Sequence, residues 1–161
     1  MTGDSTRGVA SRAAIRGHPL HPALVPFPIA FLVGALLSDV AFWQTADPFW
    51  ARASLWLVGA GLVGGVLAAS LGLIDFLSIR RARGFDGWVH FLGNTAVLTL
   101  ALISFLLRRP DPPAAVLPWG IVLSLLSAGL LTVTGWLGGE LAYRHGIGVA
   151  ISPEEGNRRG E

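Results

Sequence analysis

The chain has 161 residues, of which 52% are hydrophobic and only 14% charged, against about 25% charged in a soluble domain. Formal net charge is +2 and all 12 basic residues are arginine; with no basic patch interleaved with aromatics, nucleic-acid binding is excluded. The absence of cysteine excludes disulfides, thiolate metal sites and cysteine-held iron–sulfur clusters within the chain.

Residues 1–16 are polar and carry Arg7, Arg12 and Arg16, the pattern of a mobile segment. Next comes Gly17-His18-Pro19-Leu20-His21-Pro22. Each histidine precedes a proline, which pushes it away from helical geometry, so His18 and His21 are expected on a kinked lead-in rather than as a helical pair. The first apolar run, about 22–43, opens with Pro26 and Pro28, which suit a first turn better than a helix interior. No small-x-small cleavage site follows it, so it is read as a retained span rather than a signal peptide. Trp43, Phe49 and Trp50 bracket a short loop in the manner of a membrane interface.

The second run, about 53–77, holds Gly61 and Gly65 at small-xxx-small spacing, extended by Ala69, and ends near Asp75. Such faces let helix backbones approach closely. An arginine-rich loop leads to the third run, about 88–107, where His90 and Asn94 lie one turn apart on one face. Arg108 to Pro113 read as a stop and turn. The fourth run, about 115–142, carries Gly135 and Gly139 and exits through Glu140, Tyr143, Arg144 and His145. Residues 150–161 form a polar tail expected to be disordered and cytoplasmic. No long internal repeat is evident. About 20 apolar residues span a bilayer as a helix. The expected fold is therefore an all-α, four-helix transmembrane bundle, up-down-up-down with short loops.

Arginine counts set the expected orientation. Nine arginines flank the termini and the second loop, whereas Arg52, Arg108 and Arg109 flank the other two loops. Both termini are thus expected on the cytoplasmic side of a bacterial inner membrane. The same count puts His18, His21, His90 and His145, with Asp75 and Glu140, at the cytoplasmic end.

Four imidazoles at one end of a bundle suggest a transition-metal site for zinc, iron or copper, with Asp75 or Glu140 completing the ligand set. Two histidines from different helices also suit a haem b. In either case Asn94 and Tyr143 would orient the ligands from behind. His21 and His90 lie closest to the bundle and are the strongest candidates. A second class is a proton or ion pathway or small-solute transporter using Asp39 and Asp75, since ionisable groups within membranes are functional suspects. A third is a structural, partner-binding membrane module whose histidines only hydrogen-bond. In that reading Glu140 and Arg144 are an ordinary i,i+4 pair, and Asp39 reaches headgroups or Ser38. No reaction with atoms in named roles emerges, so no enzymatic activity is assigned.

The run from Gly17 to Ala30 (GHPLHPALVPFPIA), then His90 with Asn94, then Gly138 to Val149 (GGELAYRHGIGV) resembles the bacterial membrane-protein family catalogued as domain of unknown function 2231. The resemblance spans roughly Gly17 to Val149. It implies a four-helix integral membrane domain, which in some members is fused to a Rieske-type iron–sulfur domain. That fusion implies electron transfer, and this cysteine-free chain would then need a separate redox protein as partner. A homo-oligomer is a further possibility. The family often has histidine where Pro26 stands here, so any role of that side chain is absent.

Overall fold

The computed structural model describes residues 8–149. Residues 1–7 and 150–161, including the expected disordered tail, lie outside the described residues. A two-residue antiparallel hairpin, β1 (Ala14–Ile15) and β2 (His18–Pro19), leads into helices α1 (Leu20–Leu24), α2 (Pro26–Thr45), α3 (Pro48–Ser78), α4 (Phe85–Arg108), α5 (Pro112–Ala115) and α6 (Ile121–Gly139). α1 and α2 run on as one membrane-length helix, and a last turn, Glu140–Arg144, extends α6. Four helical stretches are long and apolar enough to cross a membrane: Leu20–Thr45, Pro48–Ser78, Phe85–Arg108 and Pro112–Arg144.

The turns follow from local chemistry. Ala46 takes a left-handed conformation to end α2, and Asp47 caps α3 by accepting from the Phe49 amide, with Pro48 at the first helical position. Asp111 caps α5 in the same way through the Ala114 amide. The fourth span is interrupted: Leu117, which precedes Pro118, is extended and kinks the chain between α5 and α6. In chain order α2, α3, α4 and α6 pack each on the next, and α6 closes the ring onto α2. Leu32, Ala35, Val58, Val97, Ala101 and Leu131, drawn from all four helices, fill its centre.

Three expectations are corrected. His21 is helical, not extended: it sits in α1, within the first turn that can accept Pro22. Residues 8–16 are not loose. Ser11 Oγ and the amides of Arg12 and Ala13 donate to the Asp75 carboxylate, and Val9 exchanges main-chain bonds with Gly146 and Gly148. The two glycine pairs behave differently. A Cβ on Gly61 would meet the Leu32 side chain at 2.8 Å, and one on Gly65 would meet Leu98 at 2.6 Å, so both are packing sites. Gly135 and Gly139 face open space instead, and Gly93 and Gly138 make the close approaches between α4 and α6.

A positional correspondence between the two halves of the bundle emerges as well. His21 and His90 are 69 residues apart, and so are Asp39 and Arg108. The buried positions Pro28, Leu32 and Ala35 of α2 recur at the same offset as Val97, Ala101 and Ser104 of α4. The bundle is thus two parallel helical hairpins, α2–α3 and α4–α6, with matched positions meeting on a central axis, as in membrane proteins built from parallel repeats.

At the end away from the histidines, Asp39 and Arg108 meet on that axis, both with side chains fully buried. This corrects two expectations: Asp39 does not reach headgroups, and Arg108 is not a loop charge. Arg108 Nη1 and Nη2 each donate to one Asp39 carboxylate oxygen at 2.8 Å. Ser54 Oγ of α3 and Ser124 Oγ of α6 donate to the same two oxygens at 2.6 Å, and Arg108 Nε donates to Ser104 Oγ. Gly120 is required here, since a Cβ would lie 2.9 Å from Arg108 Nη2 and 2.6 Å from the Ala115 carbonyl oxygen. Removing one partner strands a charge in an apolar interior, at a cost of about 3–5 kcal/mol, whereas removing both does not. Asp39→Asn and Arg108→Met should each lower stability by about that much, and the double variant should recover most of it. Detergent-solubilised unfolding by circular dichroism measures this; a double variant as unstable as the sum of the singles would contradict it.

Candidate histidine site at one end of the bundle

The opposite end of the axis holds His21 and His90, which sit in mirrored seats. The His21 ring, on α1, lies on Gly72 of α3, where a Cβ would come within 2.9 Å of Nδ1. The His90 ring, on α4, lies on Gly138 of α6, where a Cβ would come within 3.2 Å of Cε1. In each case the bare glycine exposes the carbonyl one helical turn earlier. His21 Nδ1–H donates to Ala68 O at 2.7 Å, and His90 Nδ1–H donates to Thr134 O at 2.9 Å. A carbonyl can only accept, so both bonds fix the same tautomer: proton on Nδ1, lone pair on Nε2.

The two rings are edge-to-face with centres 6.3 Å apart. Among the described residues, neither Nε2 has a hydrogen-bond partner, and neither is sealed from its surroundings. Both rings line a cavity of about 220 Å³ whose other walls are largely apolar, including Ile29, Leu32, Ala68, Phe91 and Leu131. Asn94 is among the polar residues beside it, with Asp75, Thr95 and Thr134. Its Nδ2 donates to His90 O at 2.8 Å, and its Oδ1 accepts a long bond from Thr134 Oγ1 at 3.4 Å, so it braces the turn that carries His90 and the carbonyl that His90 uses.

The other candidates lie at the same end of the bundle but serve other ends. His18 is exposed in β2, with Nδ1 3.2 Å from Arg16 O. His145 Nε2 pairs with Asp86 Oδ2 at 3.0 Å. Asp75 touches the cavity, but both carboxylate oxygens are taken by residues 11–13. Glu140 pairs with Arg144 at 3.3 Å, and Tyr143 is exposed. Among the described residues no three histidine, aspartate or glutamate side chains gather around one point. The structure brings together His21 and His90, with Asn94 behind, and not the set of four histidines.

Above the cavity a cap closes the end of the bundle. Residues 8–13 are tied to Asp75 and to Gly146–Gly148, Leu20 N donates to Ala13 O, and Arg81 Nη1 reaches His145 O at 3.4 Å. Pro19, Ala82, Ile147 and Gly148 of this cap line the cavity.

Residues 17–151 match the model of the family described as predicted membrane protein (DUF2231). The chain belongs to that family. The matched segment takes in all four apolar helices and both seated histidines. No curated protein and no solved structure matches the chain.

The seats make a direct prediction. In ¹⁵N-imidazole spectra of the detergent-solubilised protein, His21 and His90 should both appear as neutral Nδ1–H tautomers. Gly72→Ala should displace the His21 signal and leave His90 in place, and Gly138→Ala should do the reverse. An Nε2–H tautomer at either ring would contradict the assignment.

Proposed function

We propose that the protein is a membrane-embedded metal-binding protein in which His21 and His90 hold one transition-metal ion through Nε2. The observation that carries this reading is the paired tautomer. A ligating histidine characteristically donates its other ring nitrogen to a carbonyl or carboxylate, which fixes the ring and raises its basicity. Both rings do so here, and both rings line one cavity. Metal–imidazole bonds of about 2.0–2.1 Å place two ring centres on the order of 5–6 Å apart around a shared ion, close to the 6.3 Å found. Imidazole donors suit zinc, copper and iron. Two protein ligands leave coordination positions open, as in reactive rather than purely structural sites.

A single ion fits better than a haem. The cavity of about 220 Å³ falls below the roughly 300–1,000 Å³ of pockets that take larger organic ligands. With copper or iron bound, the site would serve electron transfer, and the redox partner would be a separate protein. The pathway reading is weaker, because Asp39 is locked by Arg108 and two serines at the far end of the bundle.

We infer further that the histidine end faces the cytoplasm. Arg12, Arg16, Arg80, Arg81, Arg83 and Arg144 are all exposed at that end. With Arg108 buried in its ion pair, only Arg52 and Arg109 remain to flank the two loops at the other end.

Elemental analysis of protein purified in chelator-free detergent should find one zinc, copper or iron ion per chain. His21→Ala or His90→Ala should abolish it, and His18→Ala or His145→Ala should not. Gly72→Ala, which disturbs only the seat, should weaken binding by roughly 10–100-fold. Metal retained in both His21→Ala and His90→Ala would overturn the proposal, and a Soret band in the purified protein would replace the ion with haem.

A further inference from the structure

The two hairpins match closely except where they meet beside the histidines. Each hairpin pair leaves a lateral seam there, one between α3 and α4 and one between α6 and the α1–α2 helix. The first is filled. Phe76 stacks on Phe91 with centres 5.0 Å apart, and Trp88 packs edge-on against Phe76 at 4.9 Å.

The second seam is hollow, and the positional correspondence shows why. The histidine seats, Ala68–Gly72 and Thr134–Gly138, are related by 66 residues. The same shift carries Leu73 to Gly139 and Phe76 to Ala142, and the 69-residue shift between α2 and α4 pairs Phe91 with Pro22. Each large side chain in the closed seam thus has a small or short counterpart in the open one. The result is a groove of about 600 Å³ walled by Pro22, Val25, Ile29, Ala30, Gly139 and Ala142. Its polar side chains are His21 and Tyr143, and His21 is shared with the buried cavity. The end of the cavity, by contrast, is covered by the cap of residues 8–19 and 145–149.

A site capped toward water and open toward lipid selects what can reach it. We propose that the histidine cavity takes a membrane-soluble alcohol or phenol, which arrives sideways from the bilayer through the groove between the α1–α2 helix and α6. The apolar body lies along Val25, Ile29 and Ala30, in a groove large enough for a ligand of ordinary size. The hydroxyl is the head chemistry the site calls for. It donates to an imidazole Nε2 when that nitrogen is free, and its oxygen takes an open position when an ion is bound. This deepens the metal-site reading and rests on it for the location of the site.

The test uses the full chain in lipid nanodiscs with a long-chain primary alcohol bearing a mid-chain diazirine, photolysed and mapped by mass spectrometry. Label should fall on residues of the Val25–Ala30 and Gly139–Ala142 walls. Gly139→Leu and Ala142→Phe, which copy the closed seam, should each remove it. A Cβ on Gly139 meets nothing within 4 Å, and unchanged ¹⁵N tautomer signals will certify either fold. The methyl ether of the same probe should label roughly 3–10-fold less, the worth of one hydrogen bond. Label spread evenly over the four helices, label unchanged in both variants, or equal labelling by the ether would each overturn the proposal. Metal content read in parallel separates the two readings: a lateral site that fails leaves the ion bound in Gly139→Leu, and a metal site that fails leaves groove labelling intact.

Discussion

Every transmembrane helix is tied to one carboxylate. Asp39 of α2 is held by Arg108 of α4, Ser54 of α3 and Ser124 of α6, with all its lone-pair directions used and neither charge exposed. Apolar packing alone specifies such a bundle weakly, because in lipid one oily face contacts another about as well as it contacts a lipid tail. A buried bidentate ion pair does not slide: shifting any helix by a turn would strand a charge in hydrocarbon, which is costly. The network therefore fixes helix register. The histidines, 18 residues before Asp39 and before Arg108 along their respective helices, inherit that register at the other end of the same axis.

The two ends are matched in position and opposite in chemistry. At one end the axis is closed, with an acid and a base neutralising one another and every donor used. At the other, two imidazoles with the same Nδ1–H bond to a carbonyl line a cavity. The like packing of the two hairpins gives a reason for the pairing, since equivalent positions meet on the axis. It gives no reason for the difference. Asp39 and Arg108 are complementary groups, whereas His21 and His90 are alike.

The span pattern was legible because lipid makes hydrophobicity and length nearly sufficient to define a transmembrane helix. The family was legible from its end motifs, and His21, His90 and Asn94 were singled out from their place on span ends. What could not be read was which same-end groups converge. His145 and Asp75 look equivalent to His90 in one dimension, but Asp86 claims the first and the cap residues claim the second. Arg108 was hidden by an adjacent arginine: the pair Arg108-Arg109 reads as a loop flank, and only the 69-residue match to Asp39 separates the buried one from the exposed one. The glycine seats were hidden for a similar reason. Gly72 and Gly138 do not stand at GxxxG spacing, and their role depends on an imidazole from another helix.

The bland alternative is that His21 and His90 are interhelical glue, and half of each ring does serve that purpose. One Nδ1–H bond to a carbonyl is enough to pin α1 to α3 and α4 to α6. An asparagine does this as well in membranes, and the neighbouring Asn94 already braces α4 through His90 O. Imidazole differs in carrying a second nitrogen on the far side of the ring, and a polar atom left without a partner in an apolar interior is a liability. Here that second nitrogen occurs twice, at matched positions and on rings that line one cavity, and no buried polar side-chain atom among the described residues lacks a partner. A fold that satisfies a full ion pair at one end of its axis has the means to satisfy two imidazoles at the other. Under the metal-site proposal those two nitrogens are the ligands, whereas as glue alone they would simply meet the surroundings already open to them.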